Sequence, residues 1–496
     1  MGFLDGVDEI NLKVERKSDN KIFYRKMYYQ CVDFIENKKS PFCCLTGPRK
    51  IGKTTVLKQL RENYPNSIYI EYKTNSYEKE YEMALNAISA NENVIILMDE
   101  ISHFVSYDMF ILSIADKYTD LSWKENINYK IIFTGSESLN IQYLCRKGFA
   151  SDCIYIKGSY LDFEEWLLKV GYISYYGEDY KPALKDYKDY VLASYSFATI
   201  NDYEDYLRSC IDETIKSNLN SFSSLSLVAG DIDNEMELDN IIAISYASLI
   251  SLHNGMKKSG YNNYEDMLRS MYISHKSTFT SSSYSTESFS DAVKKSVALK
   301  LQKLNKVSLF DFKKYLRYLM KIDFIICVEK TTDLTYSDLS KWLDGRCEID
   351  NINSISDFLG KFHVLFNHPL FFISIGNSIL KELGVYDVSE WYSGPLLGSI
   401  YECNLRGVIA HKWSLSHQLE YHDSNDNEVD LVEPTLKLLI EMSISDKKQK
   451  DIHFDCIPNY ESYEKVVTSR TRNDYPYRIY SEYLLEVSRG YFVKSN

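Results

Sequence analysis

One octapeptide carries the clearest chemistry in the chain: Gly47-Pro48-Arg49-Lys50-Ile51-Gly52-Lys53-Thr54, which fits G-x-x-x-x-G-K-[ST] in full. Glycines at both ends permit backbone angles that a Cβ forbids, so successive amides can turn onto phosphate oxygens. Lys53 brings positive charge to the β- and γ-phosphates, and the Thr54 hydroxyl is placed to ligate Mg²⁺. The helix that follows, entered through Thr55, points its positive end at the anion. The pattern predicts a nucleoside triphosphate bound with Mg²⁺. No guanine-reading N-K-x-D tetrapeptide is present, which favours ATP.

A second run, Val94-Ile95-Ile96-Leu97-Met98-Asp99-Glu100, reads as a buried strand that delivers two carboxylates at its C-terminal end. Asp99 then holds Mg²⁺, and Glu100 orients and deprotonates an attacking water. A third run, Lys130-Ile131-Ile132-Phe133-Thr134-Gly135-Ser136, ends in small polar residues. Thr134 or Ser136 can read the γ-phosphate by hydrogen bonding; a plain turn after a buried strand accounts for them equally well. Arg146 follows and suits an arginine finger, in cis or on a neighbouring subunit, or else a solvated surface position.

These residues need a scaffold in which strand ends meet at one edge. The first 160 residues alternate apolar strands (around 42–46, 68–72, 94–100 and 130–136) with helical periodicity, the pattern of a parallel α/β sheet covered on both faces. From 161 to about 345 the periodicity is mainly helical and includes a Ser/Thr-rich stretch at 277–290. Strand signals return after 346 in EVDLV, LKLLIEM and EKVVTS. The expected division is therefore 1–160, 161–345 and 346–496.

Composition narrows the partners. Acidic residues outnumber basic ones 70 to 57, a formal charge of −13, which excludes a surface coated uniformly in nucleic acid but leaves room for a local basic groove. Ten cysteines include no CxxC pair, and adjacent Cys43 and Cys44 in an apolar run read as buried free thiols in a reducing compartment. With no hydrophobic signal core and no apolar stretch of membrane-spanning length, a cytoplasmic location without a membrane partner is expected. The 42 tyrosines are unusual in number; amphipathic rings of this kind can lie half-buried without implying ligand stacking.

The segments GPRKIGKTT, VIILMDEIS and KIIFTGSES, followed by IYIKGSYLDFEEWL, resemble the archaeal-type AAA ATPases. Leu161-Asp162-Phe163-Glu164-Glu165 matches the segment that follows the last ATPase strand in that family, and Arg25-x-x-Tyr28 matches its N-terminal helix. The resemblance implies a P-loop ATPase domain, then a winged helix, then a restriction-endonuclease-like α/β domain. The winged-helix segment would be 307–330, where Phe312, Tyr315, Leu316 and Leu319 form an apolar stripe. Lys313, Lys314, Arg317 and Lys321 lie largely off it, on a face that suits DNA phosphates or plain solvent. At the C-terminal end the resemblance points to a PD-(D/E)xK core with a second metal site at Glu402, Asp430 and Glu441. Where that motif has its lysine, position 443 is Ser, and Lys447 or Lys448 would have to stand in.

The reading expected from all this is an Mg²⁺-dependent ATPase acting as a nucleotide-controlled switch for an inactive or weakened nuclease-like domain. Two alternatives are an ATP-gated DNA nuclease and a non-hydrolysing ATP-binding interaction protein. DNA, a second copy of the chain or another protein are the partners to consider.

Overall fold

Both faces of the first sheet are buried, and the alternation along its strands shows why its runs are continuously apolar. Phe42 and Cys44 of β1 (Phe42–Thr46) enter one core with Ile96, Met98, Ile131 and Phe133, while Cys43 and Leu45 enter another with Leu97, Ile132 and Ile156. With β2 (Ser67–Glu71), β3 (Ile95–Asp99), β4 (Lys130–Thr134) and β5 (Cys153–Lys157), β1 makes an all-parallel sheet in the order β2-β3-β4-β1-β5. Helices α1 (Lys26–Asn37), α2 (Lys53–Asn63), α3 (Glu78–Ala90), α4 (Tyr107–Leu121) and α5 (Ser138–Phe149) cover it. This is the P-loop α/β architecture. In a parallel sheet the strand ends meet at one edge, where ligands bind.

The computed structural model describes residues 22–72, 77–104, 107–121, 127–135, 138–197, 205, 207, 235–248, 295, 298–299, 301–321, 323–331, 339–343, 345, 347–349, 351–371, 373–374, 394–413, 420–424, 427–433, 436–472 and 477–490. Ser136, the 277–290 stretch and the turn residues 434–435 lie outside them.

After β5 the chain enters α6 (Phe163–Val170) through a capping box. Asp162 accepts from the Glu165 amide at 2.8 Å, Glu165 accepts from the Asp162 amide at 3.2 Å, and Gly171 closes the helix in a left-handed conformation. Helices α7 (Leu184–Phe197), α8 (Glu235–Ser245) and α9 (Leu309–Lys321) follow. A second sheet has seven strands in the order β12-β11-β10-β9-β8-β6-β7. They are β6 (Ile325–Thr331), β7 (Phe362–Phe366), β8 (Glu420–Ser424), β9 (Asn427–Glu433), β10 (Leu438–Glu441), β11 (Glu464–Ser469) and β12 (Tyr477–Ile479), mixed in direction, with α10 (Gly394–Trp413) and α11 (Tyr480–Arg489) beside them.

The end of the segment expected to form a winged helix belongs to this sheet. α9 leads into β6, which pairs antiparallel with β7 and parallel with β8, so the sheet draws on chain well before residue 346. The α9 cations are also not all turned to solvent: Lys313 lies 4.1 Å above the Trp342 ring and Lys314 5.1 Å from that of Tyr315. Among the described residues no helix is long and apolar enough to cross a membrane.

A single apolar cluster runs from Met27 and Leu57 through Trp166, Tyr187 and Tyr190 to Tyr401 and Leu484. Tyr187 meets both Tyr401 and Tyr480 edge-on, joining α7 to α10 and α11. Tyr190 donates to the Leu161 carbonyl at 3.0 Å and contacts the ring nitrogen Nε2 of buried His368 at 3.3 Å. Nδ1 of His368 accepts from the Leu370 amide, so Nε2 carries the proton and faces the Leu161 carbonyl. A second proton would set a donor against the Leu370 N–H, and burial holds His368 down at about 4. Nearby Glu164 is also depressed, to about 2: burial opposes its charge, but Lys26, the Gly177 amide and Arg489 prevail.

Both shifts act in one direction. Each native pKa lies below its unfolded value, so the stabilisation is complete above the unfolded value and is lost on acidification. The His368 share of the stability should be lost as pH drops from 6.5 to 4, and the Glu164 share toward pH 2. The gap in stability between the unaltered protein and His368→Gln, which keeps a donor toward Leu161, should therefore change by up to about 3 kcal/mol over the first range, with the other buried carboxylates contributing equally to both. Thermal melts across this range check it.

Candidate nucleotide site

The phosphate loop leaves β1 and enters α2 with three left-handed residues: Gly47 (φ 131°), Lys50 (φ 61°) and Gly52 (φ 97°). Gly47 is irreplaceable for a second reason. A Cβ there would run into the carbonyl of Gly158, which follows β5 and is itself tied to Thr46 by a 2.9 Å backbone hydrogen bond. Pro48 and Ile51 are buried beneath the loop, Arg49 is half-buried, and Thr55 faces solvent.

Lys53 is buried, and its ammonium donates to the carbonyls of Gly47 and Pro48, both at 2.9 Å. It therefore spans the mouth of the loop, with its charge held where phosphate charge would sit. From behind, Arg25 just before α1 donates to the Ile51 carbonyl at 2.5 Å. Its other nitrogens engage Glu165 of α6 at 3.1 and 2.5 Å. Arg25 and Glu165, which the sequence marks only through family resemblance, are thus paired beneath the loop.

The carboxylates arrive from β3. Asp99 is 1% exposed and accepts from the Thr54 hydroxyl at 3.2 Å through Oδ1 and from the Tyr69 hydroxyl at 2.8 Å through Oδ2. Burial raises its pKa, and the Tyr69 and Thr54 donors oppose that rise. A hydroxyl and a carboxylate facing each other from the start of α2 and the end of β3 are hard oxygen donors, a set that fits Mg²⁺. Glu100 follows in a left-handed conformation (φ 54°), costly for a residue with a Cβ, which turns it out of the strand line. His103 Nε2 stands 3.8 Å from Glu100 Oε2.

β4 lies between β1 and β3, so Thr134 sits at the centre of the site edge: its register partner on β1 is Leu45, and Phe133 pairs with Met98. Its hydroxyl is fully buried and has no hydrogen-bond partner among the described residues; neither has that of Ser102, two residues past Glu100. Of Thr134 and Ser136 only the first is described. Ser102 escaped sequence reasoning because nothing in an isolated Ile-Ser-His marks it as buried.

Arg146 does not join this group. α5 runs back from the site edge, and eight residues of helix carry Arg146 about 12 Å along its axis; its guanidinium rests 5.2 Å from the centre of the Tyr155 ring on an exposed surface.

Glu402 of α10 shares a neighbourhood with Asp430 of β9 and Glu441 of β10, yet each is engaged. Arg406 Nη1 is 3.5 Å from Glu402, Met442 N donates to Asp430 at 2.6 Å, and Lys447 forms a short ion pair with Glu441. Among the described residues no group of three His, Cys, Asp or Glu side chains is arranged to hold a metal ion. Burial, and then repulsion from Asp430, push Glu402 up to about 7 and Glu441 up to about 8. Lys447 therefore lies against Glu441, while Lys448 is exposed.

Residues 39–167 match the family model described as an AAA domain, and the parallel sheet with its phosphate loop defines that segment as an AAA-type P-loop ATPase domain. Among solved structures the chain is similar to the Walker-type ATPase PABY2304 of Pyrococcus abyssi, at 17% identity over 60% of this chain and 94% of that one, with a TM-score of 0.27. It is also similar to the Aeropyrum pernix ORC2 protein in its ADPNP–ADP complexes, at 10% identity over 64% and 91% of the two chains, with a TM-score of 0.22. Likenesses this remote carry no ligand or partner over to this chain. No curated protein matches it.

Gly47→Ala should weaken binding of a fluorescent ATP analogue by roughly five- to 150-fold, because relieving its clash and positive φ costs about 1–3 kcal/mol that the loop must recover by deforming. Fluorescence titration, with circular dichroism to confirm folding, tests this.

Proposed function

We propose that the chain is an Mg²⁺-dependent ATPase whose nucleotide state sets the posture of the seven-stranded C-terminal sheet. The observation that carries this is the Thr54–Asp99 contact at 3.2 Å, which joins the phosphate loop to the end of β3 across the intervening β4. ATP lies along Gly47–Thr54, with Lys53 released from the Gly47 and Pro48 carbonyls to meet the β- and γ-phosphates. Thr54 and Asp99 would hold Mg²⁺, which when bound neutralises phosphate charge. Glu100 orients the attacking water and takes its proton, and the Thr134 and Ser102 hydroxyls give the buried polar surface against which the γ-phosphate is read. DNA and a second copy of the chain remain the partners of this reading, the latter as the setting in which Arg146 acts.

Lys53→Ala should abolish nucleotide binding, whereas Glu100→Gln should keep binding and lose turnover by about 10²-fold or more. Phosphate release and analogue binding, measured with and without duplex DNA, separate these outcomes. Binding with no turnover in the unaltered protein would leave the nucleotide as a structural ligand.

A second reading, an ATP-gated nuclease, is supported by the Lys447–Glu441 ion pair beside Asp430. Here Lys447, entering from the loop after β10, serves in place of the lysine missing at Ser443, and two of the three carboxylates must release their present partners to take a metal. Plasmid cutting in Mg²⁺ or Mn²⁺ that disappears in both Lys447→Ala and Asp430→Ala is the expected result. No cutting by the unaltered protein removes this reading.

A further inference from the structure

Tyr69 plays no part in the loop motif, yet its hydroxyl is the closest donor to Asp99. The residue stands on β2 two positions before Glu71, on the same face, and Glu71 is in register with Asp99 on β3. A tyrosine side chain is long enough to cover that two-residue offset, so its O–H reaches Asp99 Oδ2 at 2.8 Å. Glu71 Oε2 is the competing acceptor at 3.4 Å. One hydroxyl proton cannot serve both fully, and the shorter contact takes it. Glu71 is drawn instead to Lys58 at 3.4 Å.

The ring is held as firmly as the hydroxyl. Tyr69 is buried, and its face meets Arg61 at 5.5 Å and Lys58 at 6.0 Å, both from α2, the helix that the phosphate loop opens. Tyr69 therefore links three parts of the site: the strand end bearing Asp99, the helix bearing Thr54, and the edge strand β2.

We propose that Tyr69 is a positioning residue for the metal site: by donating to Asp99 Oδ2 it fixes the carboxylate plane so that Oδ1 faces Thr54, ready to share a divalent cation. A carboxylate held by one outer hydrogen bond presents its other oxygen in a single direction, whereas a freely rotating one must be ordered when the cation arrives. The proposal rests on the reading of Gly47–Thr54 and Asp99 as an Mg·ATP site. It adds a residue from β2, a strand that the loop and the β3 carboxylates do not include.

Tyr69→Phe keeps the ring, its packing and both cation contacts, and removes only the hydroxyl. The test is binding of fluorescent ATP to the full chain, first in EDTA and then with Mg²⁺ titrated in. The expected result is unchanged Mg²⁺-free affinity and a melting temperature lowered only by the loss of one hydrogen bond to a buried carboxylate, with the Mg²⁺ midpoint raised roughly tenfold. In turnover, the Mg²⁺ requirement should rise more than kcat falls. An Mg²⁺ midpoint equal to that of the unaltered protein overturns the proposal, as does an equal loss of affinity with and without Mg²⁺, which would mark Tyr69 as packing only. Lys53→Ala run alongside keeps the two levels apart: if it binds ATP normally, the reading of the loop itself has failed, whatever Tyr69→Phe shows.

Discussion

The buried ion pair between Arg25 and Glu165 is the constraint on which the nucleotide edge depends. Both side chains are almost fully buried, and each would be left as an uncompensated buried charge without the other. Arg25 uses its planar fork twice, placing two nitrogens on Glu165 and the third on the Ile51 carbonyl of the phosphate loop. Glu165 is equally committed, accepting from Lys26 N and closing the capping box with Asp162. One pair thus fixes the entry to α1, the underside of the loop and the start of α6. A lysine at position 25 could not do the same, since a point charge lacks the fork.

From that pair the ionic contacts continue to the far end of the chain. Lys26 reaches Asp162 at 2.7 Å, Glu164 at 2.8 Å and the Ser488 carbonyl at 2.7 Å, while Arg489 of α11 holds Glu164 at 2.8 Å. α11 follows directly on β12, the edge strand of the seven-stranded sheet. The phosphate loop and the C-terminal sheet are therefore joined by buried charge as well as by the shared apolar cluster. Buried charge networks tolerate displacement poorly because each separated partner faces desolvation alone. A shift of the loop carbonyls on nucleotide binding would be resisted or transmitted, not absorbed.

The sequence disclosed the parts of the site that depend on local backbone rules. A strand, two glycines, a lysine and a helix start form a contiguous unit, so Gly47–Thr54 was legible, as was the strand ending in Asp99. β9, β10 and β11 coincide with EVDLV, LKLLIEM and EKVVTS for the same reason. What sequence could not give was strand order. That β4 separates β1 from β3, bringing Thr134 to the centre, is a fact about pairing between segments about 90 residues apart. β6 was missed because IICVEKT sits in a stretch dominated by helical periodicity, and its place beside β7 and β8 is set by non-local pairing.

The same distinction applies to Arg146 and Tyr69. A cation soon after the β4 strand suits a finger or a solvated surface equally, and α5 sets Arg146 exposed against the Tyr155 ring. Tyr69 looked like one of many tyrosines, and only the β2–β3 register puts its hydroxyl on Asp99. Residue type suggests what a side chain is able to do; register and helix direction decide what it meets. At this site the register of an edge strand matters as much as the loop, because Asp99 is aimed from both sides, by Thr54 through Oδ1 and by Tyr69 through Oδ2.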